Sequence, residues 1–507
     1  MDTFLALPPS AYFCIAAVSI FVLAHRYSAH PTGSREPPFI PSRLPLIGHL
    51  ICMLWYGKDY YRMIDEKYGY DIYTLPIFGQ SFYVVAGPSM VAAVNRIPKA
   101  VSVHPISSAL TQSISGLPEK VGQVNLVDED DQDIHIAHHD ILYSMLPQGT
   151  SMDEIAQELL NGVAKNLDYL SENQLDLYLF TRRLVGTSIM SALYGPGFPV
   201  EDPSFVSDYW AFDPKLLDII VSPFPQITAP KAYHLRETLA KKFITFFENG
   251  LDKSASFMMR TRYELYRKYG YTLEDIARTE VIFTVGILSN SSITAFWYLS
   301  YALSDPNLFK ELSDEASKAC VRDGDEAVVD MTKIRSTSDC PLLNSVLREI
   351  LRHIMHSGAP RKILSDTMVN DQYLLKKGSF LMTEASVLHN RTSIWGDDVA
   401  EFNPRRFYNS PNGTASDGKR VHPAAYRAFG GGDVLCPGRN LVRDGIIGLA
   451  VAVLLGFDVT NVDGSPLTKP QIRYDKMPTS VFKPAHEVPV CIRRKAGWEN
   501  VQWEYRL

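Results

Sequence analysis

The sequence predicts a mainly α-helical chain with small β-sheets. Two long apolar runs of helical period and one compact pair of strand-forming runs carry that prediction. The first helical run spans 273–304, with Thr272 placed as its cap, Asp275 three positions on, and Ser304-Asp305-Pro306 as its stop. The second spans Leu441 to Leu455, with Pro437 suited to a first helical position and Gly456 to a C-terminal cap. Ile72 to Leu75 and Ser81 to Ala86 are rich in strand formers, Gly79 lies between them and Gly87 follows, which predicts a hairpin. Length alone, 507 residues, suggests about three domains. A hydrophobic content of 46% is ample for a core.

From the N-terminus, no charged residue occurs between Thr3 and Ala24, and Ala11 to Ala24 is almost wholly apolar. Pro8-Pro9 weakens the first turn, and the span is marginal against the roughly 20 residues a membrane helix needs. Residues 1–30 are expected to form a membrane anchor. A cleaved signal peptide is the alternative, disfavoured because Asp2 stands where a basic region would be. His25, Arg26, Arg35 and Arg43 follow the span and place its C-terminal side in the cytosol. Glu36-Pro37-Pro38-Phe39-Ile40-Pro41 and Pro45-Leu46-Ile47-Gly48-His49 read as a stiff hinge over 31–50. Residues 100–150 read as irregular and acidic around Asp128-Glu129-Asp130-Asp131. Ile219 to Pro225 is an apolar, proline-interrupted stretch, either a membrane-dipping loop or a buried turn. A net charge of −6 argues against a nucleic-acid partner. The six cysteines show no C-x-x-C spacing, which disfavours zinc and a disulfide framework.

One of those cysteines carries the chemistry. Cys436 closes the segment Phe429-Gly430-Gly431-Gly432-Asp433-Val434-Leu435-Cys436-Pro437-Gly438-Arg439, at the mouth of the second helical run. Glycines let backbone approach a flat ligand closely. Backbone N–H groups and a helix N-terminus favour a thiolate. A lone cysteine without such context is ordinarily a small buried hydrophobe. Phe429, Gly432, Cys436 and Gly438 fit F-x-x-G-x-x-x-C-x-G, which resembles the haem-binding loop of the cytochrome P450 superfamily. The resemblance implies haem b as cofactor, Cys436 as iron ligand, and one large haem-thiolate domain over 51–507 in place of three. A thiolate ligand favours O–O cleavage.

The companion motifs agree. Glu349 and Arg352 stand at i and i+3 on one helix face, and Phe402-Asn403-Pro404-Arg405-Arg406-Phe407 resembles the superfamily's segment that completes a buried triad. The triad implied is Glu349, Arg352 and Arg406, with a structural role. Arg361, nine residues after Arg352, matches the position that carries an arginine to a haem propionate. Two departures concern the propionates. Val434 stands where the family often has arginine, and no tryptophan lies between Trp55 and Trp210 to begin a W-x-x-x-R helix. His135, His138 or His139 substitute as donors, or they sit on an ordinary polar helix face.

In the long helix the family pattern A-G-x-[D/E]-T becomes Gly286-Ile287-Leu288-Ser289-Asn290. Asn290 and Ser289 are expected to order water and dioxygen above the haem. Asn290 to Trp297 resembles the branch containing cholesterol 7α-hydroxylase and prostacyclin synthase, a hydroxylase and an isomerase. Met477-Pro478-Thr479 and Phe482-Lys483-Pro484 are similar to filamentous-fungal members that tailor terpenoids or alkaloids. From Asn403 to Arg443, seven basic residues (Arg405, Arg406, Lys419, Arg420, Arg427, Arg439, Arg443) face two acids, Asp417 and Asp433. That excess suits an acidic diflavin partner. The resemblance thus implies a monomeric monooxygenase on the endoplasmic reticulum membrane. It would take electrons from NADPH-cytochrome P450 reductase and oxidise a bulky lipophilic substrate (terpenoid, steroid-like or alkaloid) in secondary metabolism. A haem-thiolate isomerase or dehydratase is the first alternative, and a haem-binding protein without turnover the second.

Overall fold

The computed structural model describes residues 35–42, 44–118, 121, 133–170, 173–198, 203–474 and 481–507. The expected anchor at 1–30, the acidic run at 128–131 and Met477-Pro478-Thr479 lie outside them. Helices dominate, and the main sheet is mixed. The hairpin forms as expected, with β1 (Ile72–Ile77) antiparallel to β2 (Gln80–Val85) and Ile72 opposite Val85. The chain continues through a short strand β3 (Val101–Ser102) into α1 (His104–Ser115) and α2 (Ile134–Met145). Then come α3 (Thr150–Asp168), α4 (Leu177–Tyr194), α5 (Leu273–Ser304) and α6 (Pro341–Ile354). Strands β4 (Gly358–Ile363) and β5 (Phe380–Glu384) join the first sheet, and α7 (Arg439–Gly456) follows. The sheet order is β1-β2-β5-β4-β3, so β4 is an inner strand and holds Arg361 opposite Leu381.

Helix α5 is the axis of the molecule. Thr272 and Asp275 form a reciprocal capping box at its start, and Asp305 ends it while capping the next helix, which begins at Pro306. It buries Phe296, Trp297, Tyr298 and Leu299 in one cluster with α6 and α7. Trp297 Nε1 donates to the Phe482 carbonyl at 2.7 Å and the Tyr298 hydroxyl to that of Leu343 at 3.1 Å. By length and composition α5 could cross a membrane. However, 67% of its most apolar window is buried inside the protein, so it is a core helix.

Four local expectations are corrected. Residues 104–115 and 134–145 are helical, not irregular. Their sequences are rich in Ser, Thr and His, and packing against α5 and its neighbours overrides weak propensity. Helix α7 starts at Arg439 with Gly438 as its N-cap, so Pro437 stays in the loop. Gly456 is the last helical residue and not a left-handed cap; the extended Phe457 follows directly. A Cβ at Gly456 would lie 2.6 Å from the Trp503 ring, so close packing explains this glycine. Finally, 219–225 is not buried throughout: Ile219 is buried in the helix Leu216–Val221, whereas Val221 and Phe224 are 67% and 63% exposed.

Candidate functional site

The cysteine loop is held from three sides. Cys436 N–H donates to the Phe429 carbonyl at 2.7 Å, closing the loop, and Arg439 Nη1 donates to the Cys436 carbonyl at 3.0 Å. Gly430 and Gly432 have φ of 73° and 65°, which side-chain-bearing residues rarely adopt. A Cβ at Gly430 would also lie 2.3 Å from the Val434 carbonyl oxygen. Helix α2 braces the loop as well. His139 Nε2–H donates to the Asp433 carbonyl at 3.2 Å, the Tyr143 hydroxyl donates to that of Leu435, and the two rings stack at 3.9 Å. Burial pushes the Cys436 thiol up, while the N–H groups of Gly438 and Arg439 and the Arg439 charge oppose it. The opposing groups are those that favour a thiolate.

Cys436 faces a slot. Cavities of about 250 and 510 Å³ both reach Gly286, Ile287, Val434, Cys436 and Val442, so the space runs between the middle of α5 and the cysteine loop. Asn290 lines the smaller part, and its Oδ1 accepts from Val481 N–H at 3.3 Å. Ser289 does not line either part. Its hydroxyl donates to Asp213 Oδ1 at 2.5 Å and meets the Tyr209 hydroxyl at 2.5 Å, while Lys483 pairs with the other Asp213 oxygen. The expectation that Ser289 stands beside Asn290 in the site is therefore corrected: successive helical residues point about 100° apart, and a buried acid engages Ser289 on the other side. A separate cleft of about 560 Å³ near Lys165, Arg182 and Trp210 shares no lining residue with the slot.

His135, His138 and His139 all line the larger part of the slot, so they do not form an ordinary polar face. His138 accepts from Arg262 Nε at 2.9 Å, and Arg262 Nη1 pairs with Glu280 at 3.0 Å. Burial, then the Arg262 charge, holds His138 well below its ordinary range. It is a neutral acceptor, fixed in one tautomer by its donor.

The triad forms. Arg352 donates to both oxygens of Glu349 at 2.8 Å, and Arg406 Nε adds a third bond at 3.0 Å. All three side chains are buried. Arg405, by contrast, is exposed and pairs with Glu311. The triad also reaches the slot. Arg352 Nη1 donates to the His389 carbonyl at 2.8 Å, and His389 Nε2 accepts from the backbone N–H of Arg427 at 2.9 Å. Its Nδ1–H donates to the Met355 carbonyl at 2.9 Å, which sets the tautomer. Arg427, in sequence only one member of a basic patch, is buried and lines the slot. Arg361 is buried beside it, bonded to Asp433 at 3.1 Å and to Asn95 at 3.3 Å. Of the seven basic residues near the loop, Arg406 and Arg427 are thus interior, and Arg443 pairs with Asp444. Arg405, Lys419 and Arg420 remain exposed.

A family model, Cytochrome P450, matches residues 37–474. The chain belongs to the cytochrome P450 family. A cytochrome P450 monooxygenase of Gibberella zeae is 29% identical over 97% of this chain and 95% of its own length. Cytochrome P450 monooxygenase nodJ of Hypoxylon pulicicidum is 26% identical over 93% and 92%. More distantly, cytochrome P450 2H2 of Gallus gallus is 21% identical over 92% and 96%. The protein is accordingly an oxidoreductase of the monooxygenase class with haem as cofactor, and the family implies a redox partner and a lipophilic substrate.

The residues present fit that cofactor. The slot is flanked by Ile287, Val434, Leu441 and Val442, suited to a flat apolar ring. A cysteine lies on it, the buried Arg427 guanidinium lines it, and Asp433, which also lines it, is bonded by the buried Arg361. That balance suits a group carrying carboxylates of its own.

Proposed function

We propose that Cys436 ligates the haem iron as a thiolate, with Phe429, Gly432 and Gly438 shaping its loop. The protein then hydroxylates a bulky lipophilic substrate, terpenoid, steroid-like or alkaloid, with electrons from NADPH-cytochrome P450 reductase. The observation that carries this is the shared slot: Cys436 and Asn290 line one cavity, from the loop and from α5. Bound haem supplies dioxygen activation, which a thiolate ligand promotes. The chain supplies the rest. Asn290 presents a carboxamide that orders water but cannot donate a proton as an acid does. Ser289 acts at a distance, pinning α5 to Asp213 and so fixing where Asn290 stands. Ile287, Val442 and Phe429 keep the slot apolar. The full-length similarity to fungal monooxygenases supports a role in tailoring a fungal metabolite.

Product formation from the native substrate is expected to require NADPH, reductase and dioxygen together, with one oxygen atom of the product from labelled dioxygen. Full conversion without all three would establish an isomerase instead. Asn290→Ala is expected to lower product formed per NADPH consumed and to release peroxide.

A membrane setting on the endoplasmic reticulum, with the 1–30 anchor and the catalytic domain cytosolic, is part of the same proposal. Leu54 and Trp55 in the helix Gly48–Tyr56 are 59% and 68% exposed, and together with Val221, Phe224 and Ile227 they offer apolar surface suited to a bilayer. Deleting residues 1–30 is expected to release the protein from salt-washed membranes with haem retained. Residual attachment would assign a second contact to these side chains, and protease protection of the domain in intact microsomes would reverse the orientation.

A further inference from the structure

Arg427 is an unusual arginine. It is buried, it lines the slot with Cys436, and among the described residues no carboxylate pairs with it. Its Nη2 is buried without a hydrogen-bond partner. Asp433, the nearest acid, is engaged by Arg361. A buried cation left unpaired is strongly destabilising, so a fold that keeps one has a counter-ion for it. The surroundings are also built to hold this side chain. The backbone N–H of Arg427 is fixed by His389, which in turn is tied to the triad through Arg352. A Cβ at Gly431 would lie 2.1 Å from Arg427 Nη1, so that glycine leaves room for the guanidinium. Burial, then repulsion from Arg361, brings the Arg427 guanidinium down to about 10. That is the direction expected of a buried cation held close to a second one.

We infer that Arg427 binds a carboxylate of the haem, taking over the propionate contact that Val434 cannot make. Asp433 already balances Arg361, so Arg427 is the guanidinium left to meet that carboxylate. The inference rests on the assignment of the slot as the haem site, and it explains how the chain dispenses with a cation two residues before Cys436. A guanidinium donates two parallel bonds to a carboxylate, which neither valine nor a point charge does. Arg427 is therefore a positioning residue: it orients the ring without touching substrate.

The test uses the reduced, CO-bound and ferric holoprotein. Arg427→Met and Arg427→Lys are purified, the thiolate Soret band of the CO complex is checked, and haem transfer to excess apomyoglobin is timed. Loss of one charge-assisted contact is expected to speed haem loss about ten- to a hundredfold in Arg427→Met, with Arg427→Lys between it and wild type. In resonance Raman spectra the propionate bending band is expected to shift in both variants while the iron–thiolate stretch stays, a signature that a purely structural role would not produce. Haem loss and a propionate band unchanged in Arg427→Lys would overturn the inference, whether or not Arg427→Met folds. Absence of the thiolate band from wild-type protein would instead overturn the assignment of the site.

Discussion

Cys436→Ala is expected to abolish the red-shifted Soret band of the ferrous CO complex and to lose most of the haem. The loop itself does not depend on the thiol. Its closure is made by backbone atoms, Cys436 N–H on the Phe429 carbonyl, and its braces fall on the Asp433 and Leu435 carbonyls. The variant should therefore fold, with secondary structure preserved, while the iron loses its protein ligand. Absorbance spectra of the dithionite-reduced, CO-treated variant decide this, read beside pyridine haemochrome content. A wild-type thiolate band from the alanine variant would remove the assignment of Cys436.

Glu349→Ala is expected to remove folded holoprotein altogether. The carboxylate is fully buried and carries bonds from Arg352, Arg406 and the Asn403 N–H at 3.1 Å. Removing it strands the buried Arg352 guanidinium, while Arg406 keeps only the Asp398 carboxylate, a loss of about 3–5 kcal/mol against a typical margin of about 5–15 kcal/mol. Burial alone would raise the Glu349 carboxyl, but hydrogen bonds from Arg352 and His353 and the Arg352 charge outweigh it and hold the group well below the carboxylate range. Its folded value is thus depressed relative to the unfolded chain, where it is about 4.3. The stabilisation is fully present above that unfolded value and fades as pH falls toward the folded one. Acid unfolding followed by circular dichroism should accordingly begin below about pH 4 for this group. Full haem content and an unchanged melting temperature in Glu349→Ala would show that the buried triad does not hold the fold.

What the sequence disclosed depended on how local the signal was. The capping box at Thr272, the hairpin around Gly79 and the i, i+3 pair of Glu349 and Arg352 are short-range patterns, and each stands where expected. Helices α1 and α2 leave little trace in the sequence because their apolar periodicity is faint and contacts with α5 and its neighbours hold them. The histidines of α2 stand out in the sequence, yet their role depends on which neighbour each meets: Arg262 for His138, the loop carbonyl of Asp433 for His139. Ser289 misled because adjacency in sequence is divergence on a helix. Arg427 was hidden in a count of surface charges. Only its burial, and the absence among the described residues of an acid paired with it, set it apart.

The knot at Ser289 has a consequence for how this chain can change over time. Ser289 and Lys483 lie 76 and 270 residues along the chain from Asp213, yet this one buried carboxylate satisfies both. Neutralising Asp213 alone leaves an ammonium with no counter-charge, and replacing Lys483 alone leaves the carboxylate short of one. Drift at any of the three positions is therefore epistatic. Lineages or libraries that alter this knot should do so by concerted replacement of the acid and the lysine, and single-site scans will under-report the sequence space open to it.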